Sequence, residues 1–128
     1  MSMRKRHQRI FACWLLACAL ISAGCAPDEG DPAAVVEQYL RAKVASDMNE
    51  MRGLLCAEME NLLERESRTF ETVTNVEIQE MACERSGETT VSCSGTIVAA
   101  YGAENTEFPL TSYRVVREDD GWKWCGEA

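Results

Sequence analysis

The sequence predicts an α+β domain in which three N-terminal helices pack on a curved antiparallel sheet of four strands. Three observations carry this prediction. Apolar residues recur at helical spacing from about residue 32 to residue 70, β-branched residues alternate with polar ones from Thr72 onward, and charged or glycine-containing turns divide that second half. Helices followed by a meander of strands give an α+β layer pair, because a parallel sheet would need the two element types to alternate along the chain.

Asp31-Pro32 opens the first helix. The Asp side chain can accept from the first free amides, and Pro at the first helical position gives up a donor that would have no partner there. Val36, Tyr39, Leu40, Lys43 and Val44 form one stripe ending near Ser46. Asp47 followed by Glu50 has the layout of a capping box, and Met48, Met51, Leu54 and Leu55 supply a second, shorter apolar face. Gly53 is unfavourable in a helix by about 1 kcal/mol relative to Ala, so either this helix is short or another element packs closely there. Met59, Leu62, Leu63, Glu66 and Phe70 make the third helical stripe.

Val76, Ile78, Glu80 and Ala82 alternate in the first strand. Ser86-Gly87 breaks it, and the run over residues 89–101 returns as the second arm of a hairpin. Residues 102–105 make the next turn, residues 108–117 the third strand, and Glu118-Asp119-Asp120-Gly121 a tight turn into Trp122-Lys123-Trp124-Cys125. Pro109 cannot donate to a ladder, so it belongs on an edge, at a bulge or at a strand start.

Ahead of the domain, residues 1–9 are basic, residues 10–23 are uncharged and apolar, and Ser22-Ala23-Gly24 places small residues before Cys25, the layout of a secretory signal. Fourteen residues at about 1.5 Å rise span roughly 21 Å, less than the roughly 30 Å hydrocarbon core, which disfavours a permanent transmembrane helix. The stretch Leu20-Ile21-Ser22-Ala23-Gly24-Cys25 resembles the lipobox of bacterial lipoproteins, with Ser22 where that pattern prefers Leu. The resemblance implies acylation of the Cys25 sulfur, cleavage before it, and a location on the extracytoplasmic side of a bacterial membrane. Ordinary secretion, with Cys25 left as a free thiol, is the alternative. The second candidate, Leu15-Leu16-Ala17-Cys18, lies inside the apolar run and would leave Ala19 to Ala23 exposed. Residues 1–24 thus read as signal, residues 25–30 as anchor and flexible tether, and residues 31–128 as one domain.

All 21 acidic residues follow position 24, and only nine Lys and Arg do, a net charge of −12 for the mature part. Such a surface repels phosphate, which excludes nucleic acid as a partner class and disfavours broad adhesion to anionic lipid. The remaining expected partners are the membrane, through lipid on Cys25, and an envelope protein or a small apolar ligand.

Of seven cysteines, Cys13 and Cys18 lie in the signal, and Cys56, Cys83, Cys93 and Cys125 lie in the domain. Four cysteines in an exported small domain point to two disulfides. Cys83 and Cys93 sit on adjacent arms of the hairpin, and Cys56 with Cys125 would tie a helix to the last strand. The alternative is buried free thiols. No Cys-x-x-Cys occurs, and the wide spacing of these residues does not suit a structural zinc site.

His7, the one histidine, belongs to the signal. The mature part therefore has no Ser-His or Cys-His pair and no imidazole ligand, and neither a cofactor nor a metal is expected. Tyr39, Tyr101, Tyr113, Glu80 and Asp47 are the polar candidates for a carboxylate/tyrosine site. Each also has a plainer role as half-buried aromatic, strand-face charge or helix cap. Trp122 and Trp124 point to one side of the last strand and, with Tyr101 and Tyr113, form a candidate ligand wall; sheet packing is the plainer role of the two tryptophans.

The order of elements resembles the NTF2-like (cystatin-like) superfamily, in particular its small lipoproteins with a DUF4878-type domain. Two stretches carry the likeness, Asp31-Pro32-Ala33-Ala34-Val35-Val36-Glu37-Gln38-Tyr39-Leu40-Arg41-Ala42 and Arg117-Glu118-Asp119-Asp120-Gly121-Trp122-Lys123-Trp124. The resemblance implies a conical shell of helices on a bent sheet. It does not choose among enzymes, ligand carriers, interaction modules and spacers, all of which use that shell. The expected function is non-catalytic binding of a ligand or protein, with an enzyme and a pocketless spacer as the alternatives.

Overall fold

In the computed structural model, which describes residues 30–128, Asp31 opens α1 (Pro32–Val44) as expected, its carboxylate accepting from the Ala33 amide at 2.9 Å. The expected signal, Cys25 and the expected tether up to residue 29 lie outside the described residues. Asp47 caps α2 (Met48–Leu54) by accepting from the Glu50 amide at 3.0 Å. That helix is short, and a Cβ at Gly53 would meet nothing within 4 Å, so the first of the two explanations for Gly53 is the right one.

The third helical stripe is realised in two pieces, a 3-10 turn over Ala57–Leu62 and α3 (Leu63–Ser67). The cause lies just upstream. The Cys56 amide donates to the Trp124 carbonyl at 2.9 Å, and Leu55 bridges Trp124, which holds this stretch extended against the last strand and forces the chain to restart its helix in a tight turn.

The sheet has five antiparallel strands, β1 (Thr74–Arg85), β2 (Thr90–Tyr101), β3 (Glu104–Pro109), β4 (Ser112–Glu118) and β5 (Gly121–Glu127). The expected four become five: β4 takes most of the expected third strand, while β3 joins its first two residues to residues 104–107, so the expected turn over 102–105 closes early and its second half is strand. β3 pairs the C-terminal half of β2, β4 pairs its N-terminal half, and the register slips by one residue between them at Leu110 and Thr111, directly after Pro109.

That slip belongs to a bend crossing three neighbouring strands. In β1, Glu80 has φ of 54° at a bulge between Gln79 and Ala82. Opposite it in β2, Gly95 has φ of 108°, and a Cβ there would lie 2.7 Å from the Gln79 carbonyl oxygen and 2.8 Å from that of Glu80. On the other flank of β2, the Leu110 amide donates to the Gly95 carbonyl at 2.9 Å. Bulges bend and twist a strand, and three in line fold the sheet over. The bulge also overturns the expected alternation: Val76 and Ile78 are half-buried, but beyond Glu80 the half-buried residues are Met81 and Cys83, with Glu80 and Ala82 exposed.

Two apolar clusters fill the space between helices and sheet. The larger sets Val36, Tyr39, Leu40 and Met51 against Val91, Val115 and Trp124; the smaller gathers Phe70, Ile97 and Ala99 beyond the bend. Cys56 joins Cys125 with Cα atoms 5.3 Å apart, and Cys83 joins Cys93 across the β1–β2 ladder at 4.1 Å. Both expected pairings are present, and residues 30–128 contain both clusters and both bridges, a unit with its own core. No helix among the described residues is long and apolar enough to cross a membrane.

Candidate functional site

The bend holds the sheet away from the C-terminal end of α1, and the gap between the two apolar clusters is a half-open cavity of about 440 Å³. Leu40, Phe70, Ile97, Leu110 and Trp124 give it an apolar wall, and Lys43, Arg65 and Glu66 place charge at one side. Tyr101 and Phe108 stand at its rim, 47% and 39% exposed, with ring centroids 6.4 Å apart. They are the large apolar residues that the described surface leaves in water.

The polar side is a connected cluster. Lys43, in the last turn of α1, donates from Nζ to Glu66 Oε2 of α3 at 2.7 Å, and the Tyr39 hydroxyl donates to the same oxygen at 3.2 Å. Arg65 stands 3.8 Å from Glu66 Oε1. Lys43 and Glu66 are only 20% and 12% exposed at the side chain, so this pair is not an ordinary surface ion pair, and the pairing together with the hydroxyl is what allows the charges to sit there. Burial, and then the Glu66 carboxylate beside it, pushes the Tyr39 phenol above its usual 10.0. Burial also raises Tyr113; a Thr111 backbone hydrogen bond opposes that shift and the Glu127 charge adds to it.

Behind the cluster, Tyr39 stacks on Trp124 with centroids 3.8 Å apart and planes 10° from parallel. Lys43 Nζ lies 6.0 Å from the Trp124 ring centroid. Trp124 is 3% exposed, and its indole Nε1 is buried without a hydrogen-bond partner. Leaving a donor of this kind unsatisfied costs about 1–3 kcal/mol.

Of the four residues expected to form a ligand wall, the cavity brings together Tyr101, Tyr113 and Trp124. Trp122 is elsewhere, pressed between Arg85 at 5.0 Å and Arg117 at 5.9 Å, near Gly30 at the other end of α1. The two tryptophans share a strand face, but α1 runs along that face, so one lies under its start and the other under its end. Among the polar candidates, Asp47 is a helix cap, Glu80 is an exposed bulge residue, and Tyr39 anchors the cluster from behind the wall. Lys43 and Glu66 were readable only as members of apolar helical stripes. The signal they carried was opposite charge on two faces that otherwise point inward.

Among the described residues, Cys56, Glu58 and Cys125 form a group with metal-ligand spacing, but the two sulfurs are bonded to each other and are not available as thiolates.

A solved structure similar to this chain is the solution structure of a SEC-C motif containing protein from Rhodopseudomonas palustris, with a TM-score of 0.59 and 12% sequence identity, covering 78% of this chain and 80% of that one. At that identity the likeness is one of fold alone. No protein-family model matches the sequence, and no curated protein matches it.

Proposed function

We propose that this protein is a bacterial lipoprotein, held to the extracytoplasmic face of a membrane by acylated Cys25, whose NTF2-like cone binds a small apolar ligand without catalysis. The observation that carries the binding reading is the cavity: about 440 Å³, walled by apolar and aromatic side chains, with polar groups converging on one side. Ligand sites have this size and this division of labour. A spacer would gain stability by filling such a gap.

The tether leaves the fold at Gly30, beside Trp122, while the cavity lies at the Lys43 end of α1, a helix of 13 residues and thus about 20 Å long. Attachment and cavity thus fall at opposite ends of α1, which leaves the cavity free to receive its ligand from the aqueous side.

The enzyme alternative rests on the Tyr39–Glu66–Lys43 cluster. Glu66 Oε2 accepts from Lys43 and Tyr39 and its Oε1 faces Arg65 at 3.8 Å, so the carboxylate is engaged in holding the cluster together, and the apolar wall beside it favours binding.

Two measurements test the proposal. Mass spectrometry of the mature chain should find acylated Cys25 at the N-terminus; an unmodified peptide beginning elsewhere defeats the anchor. The neutral fluorophore N-phenylnaphthylamine should bind the oxidised domain at one site and be excluded by Leu110→Trp, which fills the cavity. Equal binding to both proteins would remove the cavity from the account.

A further inference from the structure

Aromatic side chains are concentrated around the cavity. Of the nine Phe, Tyr and Trp residues of the chain, all but Phe11 and Trp14 fall within residues 30–128. Phe70, Tyr101, Phe108, Tyr113 and Trp124 line the cavity, Tyr39 stacks on Trp124, and Trp122 alone of this set lies elsewhere. Core packing accounts for Phe70, Tyr113 and Trp124, which are buried members of the two apolar clusters. It does not account for Tyr101 and Phe108, which stand side by side in water at the mouth, 47% and 39% exposed. A single exposed apolar side chain needs no explanation, but two adjoining rings at the opening of an apolar cavity mark a contact surface.

These rings form a row. Phe70 meets Phe108 edge to face with centroids 6.0 Å apart and planes at 69°, and Phe108 meets Tyr101 in the same way at 6.4 Å and 66°. The row leads from a buried ring at the wall to an exposed one at the rim, and edge-to-face or offset contact at such spacings is the arrangement that aromatic pairs prefer. The charges of the lining select no ionic ligand. Lys43 and Arg65 are matched by Glu66 and Glu127, and the half-buried Lys43 is already paired with Glu66 at 2.7 Å. A charged molecule entering the cavity would lose water and find no net opposite charge in its place.

From the ring row and the balanced lining we infer that the cavity takes an uncharged aromatic ligand, its ring seated against Tyr101 and Phe108 and extending the row that begins at Phe70. This assignment rests on the binding proposed above and adds the class of ligand. A saturated molecule of the same skeleton gains the burial of apolar area but not the ring contacts, so the two separate the assignment from apolar binding in general.

The experiment is a calorimetric titration of the oxidised domain, residues 30–128, with 2-naphthol, decahydro-2-naphthol and 2-naphthoate at neutral pH, after cooperative unfolding in urea has been checked. The two alcohols share skeleton and hydroxyl and differ in the unsaturation of the rings; the acid puts a charge on the same rings. 2-Naphthol should bind about five-fold more tightly than its saturated counterpart, the worth of one ring contact. It should bind about ten-fold more tightly than 2-naphthoate. In Tyr101→Leu/Phe108→Leu, which keeps the rim apolar at two exposed positions, the ratio between the two alcohols should fall to near parity, and an unchanged ratio would overturn the assignment to the rim. If the two alcohols bind the wild-type domain equally, or if 2-naphthoate binds best, the ligand class is wrong and the binding proposal stands. If none of the three binds, the binding proposal itself falls.

Discussion

Single residues decide how far the sheet can bend. Gly95 is the most constrained of them, since any Cβ would meet two backbone carbonyl oxygens of β1 at under 3.0 Å and φ is positive as well. Gly95→Ala should lower stability by about 2 kcal/mol or more, read from the urea midpoint. Gly53→Ala is the matched control. It sits in a helix with open space where the methyl would go, so it should raise stability by up to about 1 kcal/mol.

Tyr39 makes a pH prediction. Its phenol holds its proton more firmly in the fold than in the unfolded chain, where it ionises near 10.0. The stability this contributes is fully present below that value and is lost as pH rises above it. Thermal unfolding between neutral pH and mildly alkaline conditions beyond 10.0 should show a falling midpoint, and Tyr39→Phe should flatten that fall. The Tyr39–Glu66–Lys43 cluster was legible only in part. Charges at positions 43 and 66 stand out within their stripes, but nothing in the sequence says that the two stripes meet, because α3 is positioned by a bridge to β5 formed from residues 55 and 124.

At the scale of elements, helix starts were the most legible features, since a cap is a local contact between a side chain and amides two or three residues away. Four strands were legible too, β3 being the one missed, as were both disulfide pairings, the hairpin pair because its arms are neighbours in sequence and the other because it ties a helical segment to the last strand. Bulges were not. The division of the third strand and the reversal of facing at Glu80 depend on register against β2, a property of the pair that neither strand shows alone.

The two bridges should differ in worth. Cys56–Cys125 closes a separation of 69 residues and ties the segment after α2 to β5, so Cys56→Ala/Cys125→Ala should cost about 4 kcal/mol. Cys83–Cys93 closes 10 residues of a hairpin already held by its ladder, and Cys83→Ala/Cys93→Ala should cost less. Urea unfolding under non-reducing conditions ranks the two; the reverse order would mean that the hairpin depends on its bridge.

For the whole molecule, composition and order of elements were enough for an α+β layer pair, and the five-stranded sheet with helices on one side agrees with that class. The cavity was beyond reach of sequence, because an unfilled volume exists only where a bend, a helix end and a loop all stop short of one another. On the proposed reading, an acidic surface keeps the domain in solution above the membrane, Cys25 holds it there, and the cavity opens on the far side. Cys25→Ser should then abolish acylation and mature-length membrane retention, checked by fractionating the envelope.

The proposal of a ligand-binding cavity is tested most directly by the indole N–H resonances of the domain in solution. Within residues 30–128 only Trp122 and Trp124 contribute them, since Trp14 lies ahead of that range. Titration with N-phenylnaphthylamine should shift the Trp124 signal saturably, as an aromatic ligand settles against the cavity wall that this ring forms, and leave the Trp122 signal between its two arginines unmoved. A shift of Trp122 alone, or no shift of either while the fluorophore binds, would contradict the account.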